Sequence, residues 1–263
     1  MRTSILLVLV AVGAAASPSP VTASGPDRPV SPAAQDGNRW ADSVRASIDR
    51  AYLAGDANGL TAAAALAERA LTVYPNDGLL RHYLGYARYR EASLRSGAAV
   101  RPLLDAAVRD LEASATRLPL PETQALLARI YARLSGQEPA RAAELGQKAQ
   151  EARAAALATG AANPRVWLLL GSAAVYVPAQ YGGGLDVAEP QLTRALSLFA
   201  ADKPAAGRPT WGQAETHAWI GEVNRRRGKT AAARASFNQA LRLAPGYVWV
   251  RSTLIPSLDR AQR

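Results

Sequence analysis

Two histidines, His82 and His217, no cysteine, and a run of three glycines at 182–184 make up most of what this chain offers to familiar chemistry. A glycine-rich run ahead of a helix can cradle phosphate on its backbone amides, but it can equally let a chain turn sharply. In VPAQYGGGLDVAEPQ, Val177–Gln191, the run is followed by Leu185 and Asp186 instead of the Lys-Ser or Lys-Thr of a nucleotide loop. No strand precedes it, as a dinucleotide fingerprint would require. A turn explains the stretch: Pro178 stops one helix, the glycines supply positive φ, Asp186 and Glu189 cap the next helix, and Pro190 falls within or near its first turn.

The other reactive side chains are equally sparse. Glu215 and His217, two apart on one helix, point to different faces and make a poor metal pair. His82 has no sequence partner that would make it a base, and the metalloprotease and hydrolase motifs are absent. Without cysteine there are no disulfides, no thiolate metal sites and no lipid-anchored cysteine. The chain is therefore expected not to be an enzyme and to need no cofactor or metal.

Positioning falls to helices. Of the 263 residues, 58 are alanine and only 2 are phenylalanine, and 49% are hydrophobic. That balance favours closely packed helices and an all-α fold. The N-terminus, MRTSILLVLVAVGAAASPSP, carries Arg2, an apolar run from Ile5 to Val12 and then small residues, the order of a secretory signal. Cleavage fits after Ala16 or Ala23, giving a signal over 1–23, a disordered leader over 24–38 and a repeat domain over 39–263. No other apolar run approaches membrane length, so a periplasmic or secreted, soluble protein without a transmembrane segment is expected. The net charge of +10, of which the signal removes only Arg2, suggests an acidic partner or an anionic surface.

From Trp40 onward apolar residues recur at spacings of three and four, the helical period. In HAWIGEVNRRRGKTAAARASFNQALRLAP, Ile220-Gly221, Gly228, Ala233, Phe237, Ala240 and Pro245 stand in one register. NPRVWLLLGSAA carries Trp167 and Leu170-Gly171, ETQALLARIYARL carries Leu127-Ala128 and Tyr131, LLRHYLGYARYR carries Leu84-Gly85, and AERALTVYP carries Ala67, Ala70 and Pro75. These spacings resemble the tetratricopeptide repeat (TPR) family over roughly residues 40–260. A small residue falls at 51, 85, 128, 171 and 221, where it lets two antiparallel helices come close. The resemblance implies a TPR-like α-solenoid of about five helical hairpins, with a final helix from about Tyr247 to Asp259 as the terminal cap. A second insertion, DKPAAGRPTWGQ, ends in Trp211-Gly212 and is expected to pack an aromatic ring on glycine backbone.

In this family the first helix of each repeat lines the inner groove. The resemblance implies a groove of Arg45 and Tyr52, then His82, Tyr86, Tyr89 and Arg90, then Arg129 and Arg133, then Ser172 and Tyr176, then Glu222, Arg225 and Arg226. Within it the expected partner contacts are Tyr52, His82, Tyr86, Tyr89, Arg90, Arg129, Arg133, Tyr176, Arg225 and Arg226. Arginine forks take carboxylates bidentately and tyrosines give rigid contact area, so a protein or peptide partner of acidic character is expected. The lysine and asparagine of the family's carboxylate clamp are missing, so chaperone-tail binding does not carry over. A small-ligand carrier resembling the repeat component of some periplasmic transporters is the alternative, and nucleic acid is not expected as a partner.

Overall fold

The computed structural model describes residues 32–260. The expected signal, 1–23, and the first part of the leader lie outside the described residues. The first helix among the described residues, α1, spans Pro32–Leu53 and so takes in the end of the stretch expected to be leader. Then follow α2 (Ala57–Val73), α3 (Gly78–Leu94), α4 (Val100–Ala115), α5 (Pro121–Ser135), α6 (Ala142–Gly160), α7 (Pro164–Ala174), α8 (Leu185–Phe199), α9 (Gln213–Arg226) and α10 (Thr230–Leu243). A π-helical turn, Val250–Leu254, leads into α11 (Ile255–Arg260).

Helix starts are set locally. Asp77 accepts from the amides of Leu79 and Leu80, Asp56 from Gly59 and Asn163 from Arg165, which satisfies amides that have no intrahelical partner. The helices pack pairwise as α1/α2, α3/α4, α5/α6, α7/α8 and α9/α10. Small residues make the close approach: a Cβ on Gly221 of α9 would overlap the Phe237 ring of α10. Gly85 sits likewise against Leu111, and Gly171 against Leu192.

The glycine-rich stretch is a turn between α7 and α8. Gly182 and Gly184 take φ of 80° and 96°, and the Gly184 amide returns to the Ala174 carbonyl at 2.8 Å. Two details differ from expectation. Gly184, without a side chain, stands at the start of α8, and the carboxylates of Asp186 and Glu189 instead hold Arg227 beyond the end of α9. Pro190 lies inside α8, past its first turn.

The first and last parts of the array meet. Tyr52 at the end of α1 lies with its ring centroid 6.3 Å from that of Tyr247, which packs in turn on Trp249 at 6.1 Å. Tyr52 and Trp249 each pack against both apolar clusters, the larger one running from α1 to α9 and the smaller one from α9 to α11. No helix among the described residues is long and apolar enough to cross a membrane.

Candidate functional site

The inner face is organised around Arg90. Residues 82, 86, 89 and 90 recur at helical spacing on α3, so His82, Tyr86, Tyr89 and Arg90 rise along one inward side of it. Arg90 donates from Nη1 and Nη2 to the two carboxylate oxygens of Glu215 on α9, at 2.8 and 2.5 Å. Its guanidinium lies 3.9 Å from the Tyr52 ring centroid and 4.9 Å from that of Tyr86. A bidentate ion pair flanked by aromatic faces is among the strongest arrangements a buried arginine can adopt. Only 2% of Arg90 is exposed.

The loop 200–212 between α8 and α9 closes over this face as a strap. Asp202 pairs with Arg165 of α7, which is itself buried. Gly207 accepts through its carbonyl from the Tyr83 hydroxyl at 2.7 Å, and Thr210 accepts from Arg45. Trp211 stacks on Tyr86 with centroids 4.8 Å apart and planes at 15°. The indole thus packs on α3, not on glycine backbone as expected. A Cβ on Gly212, its neighbour, would overlap Leu168 and Phe199.

His82 is fully buried beneath the strap, its Nδ1 2.8 Å from Thr123 Oγ1 and its ring stacked on Tyr86. Burial, aided by Arg208, lowers its pKa to about 3, so it is neutral at ordinary pH. Tyr86 and Tyr89 are buried as well, and burial raises the Tyr86 hydroxyl well above its usual range. These residues, expected to contact a partner, are buried and offer it no surface while the strap is in place.

The other half of the expected set stays open. Arg129 donates to Ser172 Oγ at 2.6 Å and stands 5.8 Å over the Trp219 ring. Tyr176, 58% exposed, meets Trp219 edge-on at 5.8 Å, and Arg226 lies 4.6 Å over the Tyr176 ring. Arg225 and Arg226 both donate to Glu222 at 2.7 Å. Burial alone would raise the Glu222 pKa, but those two hydrogen bonds outweigh it and leave the carboxyl below its ordinary value. Arg133 is half-buried one turn beyond Arg129 on α5. Two arginines therefore share one carboxylate beside an exposed tyrosine, with Arg129 over the neighbouring indole.

Glu215, Trp211, Trp219 and Asp49 belong to this face and were not among the expected contacts. Glu215 was legible: it precedes Gly221 by six residues, as Arg45 precedes Ala51, and so shares its inward register. Asp49 and Trp219 share another such position, two residues before the small one. Trp211 stands in an insertion, where no register applies. Among the described residues no group of three or more His, Cys, Asp or Glu side chains is placed to hold a metal ion.

No protein-family model and no curated protein matches the sequence. Among solved structures, the chain is similar to TTC0263, a thermophilic TPR protein of Thermus thermophilus, with a TM-score of 0.59 and 20% identity over 85% of this chain and 98% of that one. It is also similar to the HusA haemophore of Porphyromonas gingivalis, with a TM-score of 0.56 and 22% identity over 73% of this chain and 93% of that one. The fold is accordingly all-α and TPR-like, with its helices packed pairwise in hairpins.

Proposed function

We propose that this protein is an exported, non-catalytic scaffold that binds an acidic protein or peptide at the open half of its inner face. The observation that carries the reading is the cluster of Arg129, Arg225 and Arg226 around Tyr176 and Trp219, with Arg133 one turn away. Stacked guanidinium groups are held in place by the rings while edge donors remain for carboxylates. Solenoids use such extended inner surfaces for recognition.

Mature protein serves as bait in envelope extract at low and high salt. An acidic protein partner should be retained at low salt and released at high salt. Arg129→Glu with Arg133→Glu should abolish its capture and leave the helical circular dichroism unchanged. Retention by a folded double variant would overturn the site. A second reading, a small-ligand carrier, draws on the haemophore neighbour and on Tyr176, which is 58% exposed in the same open half. Haem titration tests it: a saturable spectral change lost in Tyr176→Ala would favour the carrier.

A further inference from the structure

The strap crosses the inner face as a bound peptide would. Asp202 holds Arg165 at the α8 end of the strap, and Gly207, Thr210 and Trp211 are its further anchors, through the Tyr83 hydroxyl, Arg45 and the Tyr86 stack. Between Asp202 and Gly207, Lys203, Pro204, Ala205 and Ala206 are exposed, so this part of the strap is held by little more than its two ends. Within 203–210 the backbone makes a single turn bond, from the Arg208 amide to the Ala205 carbonyl.

The seat beneath it is also poorly paired. Arg90 Nε, His82 Nε2 and Arg45 Nε are buried without a hydrogen-bond partner among the described residues, as is Trp211 Nε1 of the strap itself. An unpaired buried polar atom forfeits its solvation, so a segment that pairs these groups gains what the strap leaves unmade. The wall that remains is suited to recognition. Tyr86 under Arg90 forms a slot for an indole, and the Tyr83 hydroxyl donates to a main-chain carbonyl. Both read an extended peptide and neither requires a folded partner.

We propose that the N-terminal half of the inner face is a peptide groove occupied by the chain's own strap, and that its partner is an extended segment bearing proline and tryptophan in the order of Pro209-Thr210-Trp211, which binds by replacing the strap. The proposal rests on the reading of the inner face as a protein-recognition surface, and it adds where a second segment of the partner lies and what gates it. The tethered strap competes at a high effective concentration, so the intact protein binds such a segment weakly until the strap lifts.

The test needs no natural partner. A labelled synthetic peptide of residues 202–212 is titrated into wild-type protein and into Trp211→Ala, with binding read by fluorescence anisotropy. The variant should bind at least tenfold more tightly than wild type, and a peptide whose tryptophan is replaced by alanine should not bind it. Equal binding, or none, by a variant of wild-type helicity would overturn the proposal. If Trp211→Ala fails to fold, indole hydrogen exchange in wild type decides. Saturating peptide should speed exchange at Trp211 at least tenfold and leave Trp219, also buried, unchanged, whereas no change at Trp211 would refute the strap's release. Because Arg129 and Arg133 take no part, failure here leaves the acidic-partner test standing, and the converse also holds.

Discussion

Asp49 is half-buried on α1, where it faces Arg45 of its own helix, Arg90 of α3, Arg165 of α7 and Glu215 of α9. Burial raises its carboxyl from 3.8 to about 6, against the pull of Arg45 and Arg90 and with help from Glu215. A raised pKa means that the folded chain holds this proton more tightly than the unfolded one. The contribution of Asp49 to stability is therefore poorest above pH 6 and improves as the pH falls from about 6 toward 4. Asparagine at this position has no such slope. Thermal melts between roughly pH 4 and pH 8 should show Asp49→Asn more stable than wild type at the alkaline end, with the gap closing toward the acid end. A gap that does not vary with pH would show that the ionisation of Asp49 is not what sets it. Neither the burial nor the four-helix surroundings of this carboxylate are local in sequence. Its inward register was readable, and its charge environment was not.

At the scale of the elements, the crossing of each hairpin is decided by one small residue and the large one it receives. Gly221 and Phe237 are the tightest of these crossings, since a Cβ on Gly221 would overlap the ring edge. Alanine in a helix interior ordinarily gains up to about 1 kcal/mol over glycine, while overpacking a close contact costs about 1–3 kcal/mol. The packing effect should win, so Gly221→Ala is expected to lower the urea midpoint, and Phe237→Leu should recover part of the loss in the double variant. Simple additivity of the two substitutions would show that the crossing is not the cause. This logic is why the five hairpins were legible: small and large residues lie within one repeat of each other, at helical spacing. The strap was illegible for the opposite reason. The partners of Gly207 and Thr210 are 124 and 165 residues away, and an insertion with no apolar period carries no sign of the surface it will cover. The open arginine cluster could be placed by register, but which half of the inner face stays open depends on that same strap.

Repeat arrays ordinarily touch only their neighbours, so their stability is close to a sum of repeat and interface terms and their ends can fray separately. Two features of this molecule work against that independence. Arg90 of the second hairpin pairs with Glu215 of the fifth, and Tyr52 of the first hairpin packs on Tyr247 near the C-terminus. Contacts between sequence-distant repeats turn a one-dimensional stack into a closed set in which the first and last hairpins share an interior. Removing one partner of a buried charge pair costs about 3–5 kcal/mol, because the other charge is left without compensation. Glu215→Gln should therefore destabilise both ends of the chain together. Variants that keep Trp40 or Trp249 as the sole tryptophan report on α1 and on the C-terminal segment respectively. In urea the two should unfold at one midpoint, and Glu215→Gln should move both midpoints down equally. Two separate midpoints in the parent chain, or a shift confined to Trp249, would mean that the closing contacts do not couple the ends and that the array behaves as an ordinary open solenoid.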